Sequence, residues 1–256
     1  MRLVAVVTTV SVALISDPSA QTRSAPRREA AVPFRVGETL TYDVSWSQYL
    51  IAGSASVTIA EKKPSLNSTA YYIVADGKPL PLIARFYSLY YKMDSLVDAF
   101  SLLSQRSSLY SEEGAGKRLA ITRFDRGRQR AVVEQQLDRS ATAELAVPPE
   151  TQDGLATLYA LRSRTFKSGD RTTVPVVDDG VLYRVTMEAV GPERVRVRFG
   201  EFESWKLQLT ILDPQRAQVG KNIAVWMTTD ERRLPLKLQA DLPVGNFVLA
   251  LREVKG

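Results

Sequence analysis

The chemistry open to this chain is limited first by two residue types that it lacks. Its 256 residues include neither histidine nor cysteine. That composition excludes serine–histidine and cysteine–histidine catalysis, the HExxH metalloproteases, thiolate chemistry, and almost every catalytic zinc site. Carboxylate, lysine, tyrosine and hydroxyl groups remain, together with an oxygen-ligated calcium or magnesium site.

Three acidic motifs are candidates for the remaining chemistry. Glu201 and Glu203 would share one strand face roughly 7 Å apart, but one strand rarely flanks a substrate from both sides, so we interpret them as a solvated strand edge. The motif 178–180 (Asp-Asp-Gly) lacks the spaced ligands of a calcium loop and indicates a turn. The motif 230–233 (Asp-Glu-Arg-Arg) predicts a turn with paired charges, or else a rim site for an anionic ligand. No catalytic residue, metal or cofactor is predicted, and we expect no enzyme.

The strongest local charge bias is a basic segment opposed only by Asp125. Its members are Lys117, Arg118, Arg123, Arg126, Arg128 and Arg130. The strands 118–124 and 130–137 would form a hairpin around them, with residues 125–128 as the turn. A net charge of +6 also suits anionic partners. Contact with anionic lipid or lipopolysaccharide phosphates is the functional interpretation, and a solvated hairpin is the alternative. Nucleic acid is not expected for an exported chain.

The first twenty residues have the three parts of a secretory signal peptide. Met1 and Arg2 give a positive start, residues 3–15 are apolar or small, and residues 16–20 break the run. The apolar run is too short for a stable anchor, which needs ~20 residues. We predict cleavage after Ala20, export to the periplasm of a Gram-negative bacterium, a flexible lead-in over 21–32 and one β domain over 33–256. No transmembrane span is expected in the mature form.

From Phe34 onward, polar and apolar residues alternate with a period of two, which is typical of antiparallel strands. Residues 39–46 show the pattern most clearly, and turns recur along the chain. The segment 79–88 fits one or two helical turns or a bent strand. Turns at 178–180 and 191–192 would separate later strands, giving about 11–13 strands in all. One short helix is expected near 154–164, capped by Asp153. The fold class is mainly β, as a large curved antiparallel sheet or a barrel-like two-sheet architecture.

Three segments carry a family resemblance. They are FRVGETLTYDVSW at 34–46 followed by IAGSA at 51–55, QDGLATLYALR at 152–162, and VWMTTDERRLPL at 225–236. In this order they resemble the bacterial family called domain of unknown function 3108, over about residues 34–253 of this chain. Gly154 departs from the proline found in many relatives. The resemblance implies an exported envelope protein on a large antiparallel β scaffold, with no activity and no catalytic residue to carry over.

Three functions remain open at this point. The first is binding of an amphipathic envelope molecule, lipid or glycan, which predicts an apolar groove with arginine at its mouth. The second is an assembly role through contacts with an envelope protein, which predicts an exposed apolar patch or an unpaired sheet edge. The third is a histidine-free glycan hydrolase, which needs two carboxylates converging from different strands. Aromatic residues scattered along the strands would mostly form the core, or would line a pocket in an open barrel.

Overall fold

The computed structural model describes residues 27–46, 50–85, 89–136, 140–243 and 245–256. Two helices lie among them, α1 at Pro81–Ala84 and α2 at Gly154–Arg162. The strands are β1 Thr39–Trp46, β2 Leu50–Ser65, β3 Ser68–Pro79, β4 Leu89–Asp98, β5 Ser104–Glu113, β6 Gly116–Asp125, β7 Arg130–Gln136, β8 Ala141–Ala146, β9 Arg171–Asp178, β10 Val181–Val197, β11 Gly200–Leu212, β12 Lys221–Thr228, β13 Pro235–Leu242 and β14 Gly245–Lys255.

The strands form a single antiparallel sheet of 14 strands. Its order is β8-β7-β6-β5-β4-β3-β2-β1-β14-β13-β12-β11-β10-β9. Each half is a meander of sequential neighbours, and the halves join where β1 pairs with β14, from Thr39 opposite Lys255 to Trp46 opposite Phe247. The edge strands β8 and β9 do not pair with each other within the described residues. Gln152, which follows β8, makes a parallel bridge to Val176 of β9, so the sheet curls until its edges approach.

Most predicted elements are confirmed, with three differences. The strand 39–46 and the Asp153-capped helix occur as expected. The predicted turn at 191–192 is wrong, because both residues lie inside β10 at a bulge between Ala189 and Gly191. A bulge leaves a residue outside the ladder, which is where a strand tolerates a proline such as Pro192. The strand β8 was not predicted, and 14 strands exceed the expected number. In the ambiguous segment 79–88, α1 is a single short turn, and 86–88 lie outside the described residues.

The helix α2 fills one end of the curled sheet and packs against both halves of it. Leu155 and Tyr159 contact the first half, in a cluster that also contains Phe34, Ile59, Tyr71, Ile73, Val97 and Leu102. Leu161 contacts the second half, in a cluster with Met187, Ala189, Leu207, Val225 and Met227. One helix thus buries apolar side chains from both meanders, in addition to the backbone pairing between β1 and β14.

The segment before β1 also lies against this end of the sheet. The Ala30 amide donates to the Ala99 carbonyl at 2.9 Å, and the Phe34 ring meets Tyr159 edge-on at 4.9 Å between centroids. Residues 27–32, the described part of the predicted lead-in, therefore make defined contacts; residues 1–26, including the predicted signal peptide, lie outside the described residues. Within the described ranges, no helix has the length and apolar content to cross a membrane.

Candidate functional site

The two ends of the curled sheet differ in what covers them. The helix end carries α2, the turns between β2 and β3, β4 and β5, and β6 and β7, and the segment 27–36. The far end carries α1, the end of β1, and the turns between β5 and β6 and between β9 and β10. A buried polar network lies at the helix end, and most of the exposed large apolar residues of the described chain lie at the far end.

Asp153 fixes the start of α2 through hydrogen bonds of its carboxylate, its amide and its carbonyl. Its carboxylate accepts from the Ala156 amide at 2.9 Å and from the Ser95 hydroxyl at 2.6 Å, and its own amide donates to the Ser104 hydroxyl at 2.8 Å. Its carbonyl accepts the helical bond from the Thr157 amide at 3.0 Å and a further bond from the Thr157 hydroxyl at 2.8 Å. Burial raises the pKa of Asp153, although the bonds to its carboxylate oppose that shift. The helix start is thereby tied to β4 and β5.

Arg162 fixes the end of α2 through a buried ion pair. Its guanidinium bonds both carboxylate oxygens of Glu38, with Nη2 3.0 Å from Oε2, and its side chain is fully buried. The remaining donors reach the carbonyls of Arg232 and Arg233 at 3.1 Å each. Burial alone would lower the pKa of Arg162, but the Glu38 carboxylate outweighs it and raises the pKa. This satisfied ion pair joins α2 to the start of β1 and the turn between β12 and β13.

A cleft with a volume of about 720 Å³ opens on the outer face of the sheet at the helix end. Its apolar lining consists of Leu66, Leu96, Leu103, Phe124 and Val132. Its charged lining consists of Arg27, Arg106, Arg123, Arg126, Asp98, Asp125 and Glu134. This volume lies within the range of small-molecule sites, ~300–1,000 Å³. We call it the cleft, and it is the candidate functional site.

One row of directly paired residues crosses four strands in the cleft. Leu96 of β4 lies opposite Arg106 of β5, Arg106 opposite Arg123 of β6, and Arg123 opposite Val132 of β7. Two arginines are therefore neighbours between two aliphatic side chains. Like charges directly opposite each other across strands destabilise a sheet. The repulsion between the two arginines is reduced because each pairs with one carboxylate. Arg106 bonds Asp94 at 3.0 Å, and Arg123 bonds Glu134.

Asp98 organises the loop beside this row. Its two oxygens accept hydrogen bonds from the Ser68 hydroxyl at 2.5 Å, the Ser101 amide at 2.8 Å and the Gln105 amide group at 3.1 Å, among others, and Arg27 lies 3.3 Å away. Burial would raise the pKa of Asp98, but the bonds from Ser68 and from the Ser101 and Phe100 amides together lower it. The carboxylate is thus held ionised as a fixed acceptor.

Arg126 brings a positive charge to the cleft, where its guanidinium bonds three carbonyls and lies 5.6 Å from the centroid of the Phe124 ring. Its guanidinium donates to the Thr151 carbonyl at 3.0 Å and also to the carbonyls of Ser104 and Pro149. Partial burial lowers the pKa of Arg126, against the attraction of Asp98 and more distant carboxylates. Because carbonyls carry no full charge, no carboxylate of the described residues neutralises Arg126 by direct contact.

The six predicted basic residues do not form one patch. Arg123 and Arg126 line the cleft. Arg128 and Arg130 lie at the same turn but outside its lining, with Arg128 3.7 Å from Asp125. At the opposite end of β6, Lys117 is 3.2 Å from Glu112 and Arg118 pairs with Asp179.

The acidic motifs are engaged locally in ion pairs and turns. Glu201 bonds Arg196 at 2.6 Å and Glu203 bonds Arg194 at 2.9 Å across the hairpin of β10 and β11. In the turn at 230–233, Asp230 bonds Arg232 at 2.9 Å. At 178–180, burial and then the neighbouring Asp179 raise the pKa of Asp178. Over the described ranges, no group of three or more acidic, histidine or cysteine residues is arranged to hold a metal ion.

Sequence reasoning missed most of the cleft. Arg106, Asp98, Leu96 and Val132 were not singled out, because each is an unremarkable residue in or beside its own strand. One signal in the sequence could have identified the cleft. Arg106 and Arg123 lie in consecutive strands, and the register of that hairpin places them opposite each other. That register becomes evident only once the turn between β5 and β6 is located.

The sequence and the fold were compared with known proteins. The model of the family described as protein of unknown function (DUF3108) matches residues 41–252, so the chain belongs to this family. No curated protein matches the sequence. Among solved structures, a β-barrel-like protein of domain of unknown function 1849 from Brucella abortus is 10% identical and has a TM-score of 0.54. It covers 86% of this chain and 97% of its own, which shows a shared fold.

Two further solved structures are more distant. A protein of Bacteroides fragilis, described as a predicted exported protein with a YmcC-like fold, is 11% identical with a TM-score of 0.34, covering 90% of this chain and 100% of its own. A predicted lipoprotein of Parabacteroides distasonis is 9% identical with a TM-score of 0.36, covering 89% and 100%. At these scores we draw no argument from either.

Proposed function

We propose that this protein binds an anionic amphipathic molecule of the bacterial envelope, without catalysis, and that the cleft is its binding site. The observation that carries the proposal is the row of Leu96, Arg106, Arg123 and Val132. A phosphate or carboxylate group would bridge the two arginines through charge-assisted hydrogen bonds. The apolar part of the ligand would lie on the flanking aliphatic residues. Export to the periplasm is part of the proposal and is supported by the signal-like sequence of residues 1–20.

Two features favour binding over catalysis. The cleft carboxylate Asp98 has a lowered pKa and accepts hydrogen bonds on both oxygens, which suits a positioning role. A general acid needs a raised pKa instead. Glu134 is held by Arg123. Asp125 accepts a hydrogen bond from the Arg128 amide within its own turn. These engagements favour a role of the cleft carboxylates in its geometry rather than in proton transfer.

Calorimetric titration with a matched pair of probes tests the proposal. Dodecyl phosphate and uncharged dodecyl maltoside, both below their micelle concentrations, are titrated into the purified protein. We expect dodecyl phosphate to bind and dodecyl maltoside to bind much more weakly. Arg106→Gln and Arg123→Gln should each weaken phosphate binding about tenfold, because a hydrogen bond to a charged group contributes ~1.5–3 kcal/mol. Arg128→Gln, on the same hairpin but outside the cleft lining, is the control with the same change in charge.

The result that contradicts the proposal is equally specific. If both probes bind alike, or if Arg128→Gln weakens binding as much as Arg123→Gln, the cleft is not an anion site. Circular dichroism of each variant separates loss of binding from loss of the fold.

An assembly role is the second candidate function, and the edge strand β8 favours it. Five of its six residues are exposed, and within the described part of the chain β7 is its single strand partner. Such an edge offers backbone groups to an extended segment of another protein. A photo-reactive residue at Thr142 of β8 should crosslink an envelope protein in cells, while the same group at Thr173 of the opposite edge should not. Equal crosslinking at both positions, or none, would remove this candidate.

A further inference from the structure

Exposed large apolar residues gather along the far end of the sheet. Of the eight found among the described residues, five lie there: Trp46, Ile51, Leu80, Tyr91 and Leu242, between 36% and 49% exposed. They lie on or directly beside the ends of β13, β1, β2, β3 and β4, and the order β13-β14-β1-β2-β3-β4 makes these ends contiguous. We call these five residues the rim. Exposed apolar residues grouped at adjacent strand ends are typical of an interaction surface, whereas scattered single ones are not.

Exposure increases along the strands toward the rim. On the inward face of β1, Leu40 and Tyr42 are 1% exposed, Val44 is half-buried, and Trp46 is 49% exposed. On the neighbouring β14, Leu251 is fully buried while Phe247 is half-buried and stacks on Trp46 at 6.3 Å. Among the described residues, the inward apolar face therefore extends to the half-exposed Trp46 at this end, and they form no polar network here like that at the helix end.

Three cationic side chains lie beside the rim. Lys78 of β3, Arg85 just after α1 and Lys92 of β4 are exposed. Over the described residues, none of them has a carboxylate within ion-pair distance. Two carboxylates of the same region are engaged with hydroxyl groups, Asp76 with Ser56 at 2.6 Å and Glu113 with Tyr91. The far end thus presents aromatic and aliphatic groups together with three basic side chains that form no ion pair among the described residues, although Lys92 lies opposite Asp76 in the strand pairing.

From these observations we infer that the rim docks on the surface of an anionic phospholipid bilayer. Tryptophan and tyrosine rings favour the interface of a bilayer, where an apolar body and a polar tip are both satisfied. Lysine and arginine beside them are attracted to anionic headgroups. This surface is distinct from the cleft, which lies at the other end of strands of about ten residues, or roughly 30 Å. The inference therefore goes beyond ligand binding in the cleft.

Sedimentation with vesicles tests the docking surface. The purified protein is mixed with vesicles of phosphatidylglycerol and phosphatidylethanolamine, and separately with vesicles of phosphatidylcholine. We expect binding to the anionic vesicles that weakens with added salt. Leu80→Asp should reduce the partition coefficient about tenfold, and Lys78→Gln about fivefold. The matched controls are Val190→Asp, an exposed apolar residue of β10, and Lys167→Gln at the helix end, and both should bind like the unchanged protein.

Quenching by brominated lipids locates the contact. Trp46 is the exposed tryptophan among the three of the chain, and Trp226 is buried. Brominated acyl chains should quench part of the tryptophan fluorescence on binding, and Trp46→Phe should abolish that quenching. The double variant Arg106→Gln/Arg123→Gln should retain it, because the cleft is not in contact with the bilayer. That variant separates failure of the docking proposal from failure of the proposed function.

Several results would overturn the inference. These are no sedimentation with anionic vesicles, equal loss for Leu80→Asp and Val190→Asp, or quenching that persists in Trp46→Phe. Concentration-dependent dimers that Leu80→Asp dissociates, without vesicle binding, would show instead that the rim contacts a second copy of the chain.

Discussion

The helix end and the far end of this sheet differ in how the inward face of the sheet is covered. At the helix end, buried charges are paired, as Arg162 is with Glu38, and Asp153 caps the helix that fills the interior. At the far end, the inward apolar face of β1 ends at Trp46, whose side chain is about half exposed to solvent. From this difference we expect substitutions at the helix end to reduce stability much more than substitutions at the far end.

Removing Glu38 should have the largest effect on stability. In Glu38→Ala, the guanidinium of Arg162 keeps its two carbonyl partners but loses the carboxylate with which it pairs. An uncompensated buried charge costs roughly 3–5 kcal/mol. Urea unfolding followed by circular dichroism measures the loss directly.

A double replacement is the control for that experiment. In Glu38→Leu/Arg162→Met both charges are removed, and most of the loss should be recovered, since apolar pairs of similar volume often match a buried ion pair. If the single and double variants were equally unstable, the packing of these side chains rather than their charges would hold the helix end.

Loss of the helix cap should come next. Asp153→Ala removes the acceptor of the Ala156 amide and leaves the Ser95 hydroxyl without its carboxylate. We expect a loss of about 2 kcal/mol, from a cap worth about 1 kcal/mol and a buried hydrogen bond of similar size. Asp153→Asn should lose less, because asparagine also caps helices. The comparison is made by thermal and urea unfolding, and a larger loss for Asn than for Ala would contradict it.

The two aspartates of the helix end should respond to pH in opposite directions. Asp98 has a lowered pKa, so its stabilising contribution is complete above its ordinary pKa and is lost as the pH falls through the lowered value. Asp153 has a raised pKa, so the unfolded chain releases its proton first, and stability from this group declines as the pH rises toward the folded pKa. Unfolding free energies of Asp98→Asn and Asp153→Asn, measured from acid to neutral pH against the unchanged protein, should show these opposite trends.

Changes at the far end should affect stability least. Trp46→Ala removes a half-exposed ring that stacks on Phe247. A ring pair contributes ~0.5–1.5 kcal/mol, and the exposed half of the ring adds little, so we expect a loss of about 1 kcal/mol. Hydrogen exchange should be faster at Val44 than at Leu40 on the same strand. A loss as large as that of Glu38→Ala would mean that the two ends are not energetically distinct.

Local patterns predicted single elements well and their pairing poorly. The strict alternation of polar and apolar residues correctly predicted the strand 39–46. The cap at Asp153 correctly predicted the start of α2. The bulge at Gly191 could not be distinguished from a turn, because glycine followed by proline is common to both. The strand β8 has five exposed residues and so lacks the apolar face by which strands are detected. The pairing of β1 with β14 joins residues from opposite ends of the chain, which no local pattern contains.

The candidate site shows the same limit. Arg123 and Arg126 were found because basic residues cluster in sequence, but four of their sequence neighbours lie outside the cleft. A strand alternates its faces, so a run such as Lys117 and Arg118 points to both sides of the sheet. Arg106 joins Arg123 through the register between β5 and β6, and its importance follows from pairing rather than from composition.

The order of the strands has a consequence for how the chain reaches this fold. Each half of the sheet is a meander of hairpins between neighbours, whereas β1 and β14 must meet across almost the whole length of the chain. Closing that long loop carries a larger entropy cost than closing a hairpin. We therefore expect the two halves to form first and the pairing of β1 with β14 to form late. Joining the termini and opening the chain before β9 would turn all fourteen strands into one uninterrupted meander. Such a permuted chain should refold faster than the natural one, which stopped-flow fluorescence would measure.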